Sequence, residues 1–131
     1  MSLDLSREIA RRRAGVAALV RDLDAEAVPP EQVPAAVCQA AERALAAASR
    51  ELGIAPPRLL WLPAALVAGV CDGWTPATDG GDRIYIRADL DPERAAFVAR
   101  HEARHAWQRL TGRFLGPDQR EQDANRFAHQ R

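Results

Sequence analysis

The chain has 131 residues, one domain's worth of sequence, and its 47% hydrophobic and 27% charged residues exclude wholesale disorder. Eighteen basic residues, all arginine, balance eighteen acidic ones, and a formal net charge of zero argues against a general nucleic-acid binder, which needs surplus cations. No stretch approaches the about 18 uninterrupted apolar residues of a spanning helix, and the start, Met1 to Leu5, has no cationic segment leading into an apolar run. Cys38 and Cys71 match no metal or redox spacing. These features predict a cytoplasmic protein with two free thiols and no membrane partner.

Residues 3–23 carry Leu5, Ile9, Val16, Leu19, Val20 and Leu23 at helical spacing. Arg11–Arg13 reads as a solvated helix face, with acidic residues close by in sequence. Pro29 and Pro30 break the chain, and a second helix is predicted from Glu31 to Leu52, with Val33, Val37, Ala41, Leu45, Ala48 and Leu52 on one face. Gly53 suits its C-terminal cap, and Pro56–Pro57 prevents continuation.

Leu59 to Leu62, an apolar run bounded by prolines, reads as a strand. Leu66 to Cys71 is a second candidate strand, with a helical turn as the other possibility. Asp72 to Asp82 is rich in turn formers and reads as a loop. Arg83 to Arg87 alternates strictly, which predicts that Ile84 and Ile86 face a core while Tyr85 and Arg87 face out. An exposed strand of this kind offers Ile84, Tyr85 and Ile86 as a binding edge for an extended peptide. Asp91 as N-cap, Pro92 at the first helical position and Glu93 at the positive end open a helix running to Leu110. Gly116–Pro117–Asp118 starts a last helix.

Within the helix opened by Asp91 stands His101-Glu102-Ala103-Arg104-His105, an H-E-x-x-H motif. Residues i and i+4 share a helix face, so the two imidazoles can converge on one zinc ion. Glu102, beside the first histidine, can reach the water that zinc activates and take its proton. A peptidase zinc site takes a third protein ligand, and Asp118, Glu121, Asp123 and His129 are the downstream candidates. Ala124, Phe127 and Ala128 mark the buried stripe of the last helix; Glu121 falls roughly 65° from its centre, Asp123 roughly 95° on the other side and His129 roughly 145° away. This geometry favours Glu121 and keeps Asp123 as the fallback. Tyr85, the one tyrosine, could donate to a developing oxyanion or simply pack.

Glu121-Gln122-Asp123-Ala124-Asn125-Arg126-Phe127-Ala128 resembles the E-x-x-A-[ND]-x-F-A helix that follows HExxH in ImmA/IrrE-type zinc metallopeptidases, a branch of the gluzincins. The Gly-rich turn, the Arg83–Ile86 strand and the HExxH helix resemble that family's layout, over roughly residues 59 to 129. The resemblance implies one zinc per chain, Glu121 as third ligand and Asn125 supporting a zinc histidine from behind. It also implies a protein or peptide substrate, such as a transcriptional repressor. Arg104 stands where many relatives carry a small residue. The expected architecture is α+β and zincin-like: a single domain over 1–131, with a helical part (1–53), then a small twisted sheet and two zinc-site helices (58–131). A zinc-stabilised interaction or regulatory module without turnover is the alternative, and its mark would be a fourth zinc position closed by a group such as Arg104.

Overall fold

The computed structural model describes residues 18–67, 69–76, 82–112 and 116–130. Five helices and a three-stranded mixed sheet appear among them, an α+β arrangement. Helix α1 covers residues 18–26, and the upstream part of the first predicted helix, including Arg11–Arg13, lies outside the described residues. A 3-10 turn, Pro30–Gln32, leads to α2, Ala35–Leu52. The single helix predicted from Glu31 is therefore interrupted. Pro34 biases the residue before it away from helical backbone, and Val33 is extended (φ −95°, ψ 138°). Gly53 closes α2 with φ 70°, a left-handed conformation that glycine adopts at no steric cost.

Strand β1, Arg58–Leu62, precedes a helical turn, α3, Ala64–Val67. Of the two readings of Leu66–Cys71, the helical turn is the one found in place of the strand: α3 takes in Leu66 and Val67, and the Val70 and Cys71 amides donate to the Val67 carbonyl. Two short strands follow: β2, Gly73–Trp74, and β3, Arg83–Arg87. The strand order is β1-β3-β2, with β1 parallel to β3 (Leu60 opposite Tyr85) and β2 antiparallel to it (Gly73 opposite Ile86). Helix α4, Pro92–Leu110, and helix α5, Pro117–His129, complete the fold.

The sheet is covered on both faces. Trp61, Ile84 and Ile86 pack against α2 and α4, where Ala41, Ala99 and Ala103 have no exposed surface and let the two helices approach closely. Leu60, Leu62 and Tyr85 form a second cluster with Leu23 of α1 and Val67 of α3. Two sequence expectations for β3 are corrected here. Tyr85 does not face out but is fully buried, because α1 and α3 close over the sheet's second face. Nor is β3 an edge: β1 and β2 flank it, so Ile84, Tyr85 and Ile86 offer no free backbone edge to a peptide. Edge positions belong to β1 and to β2, inside the stretch predicted as loop.

Candidate metal centre

Helix α4 begins as its sequence dictates: the Asp91 carboxylate accepts a 2.7 Å hydrogen bond from the Arg94 amide, and Pro92 occupies the first turn. One face, Ala95, Ala99 and Ala103, is buried in the core, which fixes the helix's rotation. His101, Glu102 and His105 then project toward β2 and α5, and their ligand atoms all lie within 4.8 Å of one another. Helix α5 brings Glu121 onto the pair. Its Oε1 is 3.0 Å from His101 Nε2, its Oε2 is 2.9 Å from His105 Nε2, and the two Nε2 atoms are 3.1 Å apart.

These residues suit a cation. A tetrahedral zinc site with bonds near 2.0–2.1 Å separates its ligand atoms by about 3.3 Å, so the triangle needs to open by only a few tenths of an ångström. Two imidazole nitrogens in contact repel unless a proton or metal lies between them. Glu102 differs from the other three in its surroundings: it is 5% exposed, and burial pushes its carboxyl up to about 7 against the opposing effects of His105 and Thr75. Its Oε2 stays 3.8 Å from His101 Nε2. Burial also lowers the proton affinity of His101, helped by repulsion from His105 and opposed by Glu121 and Asn125. Glu121 has the reverse balance. Its partial burial raises the carboxyl, but His101 and His105 outweigh that and hold it below the usual range.

Two residues not singled out by sequence hold this arrangement. The buried Thr75 Oγ1 lies 2.9 Å from Glu102 Oε1 and 3.1 Å from the Glu102 carbonyl, pinning the carboxyl in place. Gln108, 2% exposed, serves His105: its Nε2 donates to the Arg120 carbonyl (3.1 Å) and to Asp123 Oδ2 (2.8 Å), which leaves Oε1 to accept from His105 Nδ1 at 2.9 Å. The amide cannot be reversed without facing its oxygen to two acceptors. His105 therefore carries its proton on Nδ1 and presents a bare Nε2 lone pair. Both partners lie far off in sequence or look like an ordinary helix position, so no local pattern marks them. Gly73 is a third such residue. A Cβ there would meet Val98 Cγ1 at 2.4 Å and Glu102 Cγ at 3.1 Å, so only glycine lets β2 pass this close to α4.

The remaining predicted site residues are placed differently. Asp123, the fallback ligand, is not part of the triangle: Arg104 binds it through two hydrogen bonds (2.8 and 3.1 Å) and holds its carboxyl below the usual range. Arg104 itself lies over Trp107, 3.9 Å from the ring centroid, and is spent on Asp123 rather than on the histidines. Tyr85 is not an oxyanion donor. Its ring stacks on Trp74 and its hydroxyl donates to Asp24, on the α1 side of the sheet. Asn125 borders the same cleft as His101 and favours its protonated form, yet His101 Nδ1 is buried without a hydrogen-bond partner among the described residues. His129 is exposed, its ring 4.9 Å from Phe97.

The triangle borders two clefts that share Gly73, Glu102 and Glu121. One, of about 240 Å³, is bordered by Asp72, Arg94, His101 and Asn125. The other, of about 280 Å³, is bordered by Trp74, Thr75, His105, Arg109 and Arg120. No helix among the described residues is long and apolar enough to cross a membrane. Compared with protein-family models, curated proteins and solved structures, the chain finds no match.

Proposed function

We propose that the chain is a zinc-dependent metallopeptidase of zincin-like architecture. The observation that carries this reading is the convergence of His101, His105 and Glu121, from two helices, to mutual separations of 2.9–3.1 Å beside the buried carboxyl of Glu102. Zinc, when bound, supplies the Lewis acidity that polarises a peptide carbonyl and lowers the pKa of water. His101, His105 and Glu121 would hold it, and Gln108 keeps His105 in the tautomer that leaves Nε2 free. Glu102, oriented by Thr75, accepts a proton from the attacking water and returns it to the leaving amine. An extended substrate would pair with β2, the strand at the sheet's end, instead of β3, since Gly73 of β2 borders both clefts. Arg104, the group that could close the fourth position, is engaged by Asp123, which favours turnover over a blocked regulatory module.

Glu102→Gln tests the mechanism, because it keeps the side chain's size and removes its basicity. The variant should retain zinc and its circular dichroism while losing about 10²–10⁴-fold in cleavage rate of a responsive peptide. A variant that cleaves as fast as the parent rules the mechanism out.

A further inference from the structure

The two clefts beside the centre differ in charge. On the His101 side, Asp72 is paired with Arg87 and Arg94, so anion and cation offset one another. On the His105 side, Arg109 from the end of α4 and Arg120 from the first turn of α5 border the same cleft, and neither has a carboxylate partner among the described residues. Among the described residues the acids bordering that cleft are Glu102 and Glu121, which belong to the candidate centre. Pro117, at the positive end of α5, adds a partial charge of the same sign.

We infer that Arg109 and Arg120 form a carboxylate-binding subsite, which selects peptides carrying an acidic side chain or a free C-terminus at a fixed distance from the reacting bond. This rests on the peptidase reading and names its substrate class. Two guanidiniums bordering one cleft, with no carboxylate paired to either among the described residues, are an unfavourable arrangement that an anion relieves. Burial and the neighbouring Arg120 both disfavour the charged form of Arg109, in keeping with that unmet demand. Arginine's planar fork can take a carboxylate by two parallel hydrogen bonds, which gives direction as well as charge. The opposite cleft has no such surplus, so the selection acts on one side of the scissile bond only.

The test measures binding separately from cleavage. Zinc-loaded Glu102→Gln protein is titrated with end-blocked alanine-rich hexapeptides carrying Glu at each position in turn, with their Gln counterparts, and with the all-alanine peptide bearing a free C-terminus. One Glu position, or the free carboxylate, should bind about 10- to 100-fold tighter than its uncharged counterpart, the range of a charge-assisted hydrogen bond. Which arm responds tells a side-chain subsite from a terminal one. Combining Arg109→Gln with Arg120→Gln, which keeps polar stems, should erase the difference. Equal binding of charged and uncharged peptides, no binding included, overturns the subsite, as does a preference that survives the double variant. Cleavage by the parent protein is scored independently: charge-selective binding without turnover removes the peptidase reading and leaves the subsite standing.

Discussion

Asp24, Arg83 and Tyr85 form one polar cluster of the molecule, and His101, His105 and Glu121 form another. Each joins elements distant in sequence: α1 to β3 in the first, α4 to α5 in the second. In the first, each Asp24 oxygen takes one donor, Arg83 supplies the opposite charge and Tyr85 closes the set. Burial alone would raise the Asp24 carboxyl, but the hydrogen bonds from Tyr85 and Arg83 outweigh it and hold the group below 3.8. The second does not close. Two ring nitrogens face each other at 3.1 Å, and among the described residues His101 Nδ1 has no partner in good hydrogen-bond geometry, with Asn125 near enough only to favour the protonated ring. A cluster whose charges balance is a fastening, whereas one whose ring nitrogens face each other beside a carboxylate is, on the proposed reading, a cation site.

The largest expected effect tests that contrast directly. On the proposed reading zinc would bind the folded pairing of α4 with α5 and not the unfolded chain, so at a thousandfold excess over its Kd it should stabilise the protein by about 4 kcal/mol. Glu121→Ala should abolish most of that gain, and chelation should reverse it in the parent. A melting temperature that zinc leaves unmoved would show that the triangle is closed by its own hydrogen bonds.

The Asp24 cluster should respond in the opposite way. Tyr85→Phe removes a hydrogen bond to a partly exposed carboxylate and should cost about 1–2 kcal/mol of stability in urea titrations, with zinc affinity unchanged. The pH dependence has a definite sign. A carboxyl whose folded pKa lies below its unfolded value contributes stability above that value and loses it as pH falls through the folded one. For Asp24 the loss comes in acid, at the low end of the ordinary carboxylate range and beneath it. Asp24→Asn should be less stable than the parent near neutrality and show a shallower decline in that acid window. If Tyr85→Phe instead weakens zinc binding, the two clusters are coupled through the sheet.

The same contrast explains what could be read from the residues alone. Asp91, Pro92 and the i, i+4 histidines act within one or two helical turns, so α4 and its motif are legible locally. Glu121 is legible through the periodicity of α5, and the structure does bring it onto both histidines. The environment of Tyr85 is not legible, because Asp24 lies 61 residues away and the cover over it comes from α1. Strict alternation in β3 marks two faces but does not say that both are buried. β2 is two residues long in a Gly- and Asp-rich stretch, and its strand character comes from pairing with β3 rather than from any propensity of Gly73. Thr75 reaches Glu102 over 27 residues for the same reason.

The smallest expected effect concerns the inequality between the two histidines. His105 is locked by Gln108, which is tied to Asp123 and through it to Arg104, a charged anchor stacked on Trp107. His101 has no such lock on its Nδ1 among the described residues, where Asn125 favours the protonated ring without closing a well-formed hydrogen bond. Gln108→Met keeps the length and most of the volume but removes the acceptor that fixes the His105 proton, so the ring can present either nitrogen to the centre. Zinc affinity should fall toward the lower end of the about 10–100-fold range for lost supporting hydrogen bonds, while His101, His105 and Glu121 stay in place. The variant also strips a partner from Asp123 and from the Arg120 carbonyl, so some stability will be lost whatever happens to the metal. Asp123→Asn separates the two effects: its one oxygen still accepts from the Gln108 amide, while the charge and the second acceptor that Arg104 binds are both removed. If Gln108→Met weakens zinc binding and Asp123→Asn scarcely does, the proton position on His105 is what the network controls. Equal losses in both variants would assign the effect to the Arg104–Asp123 anchor instead.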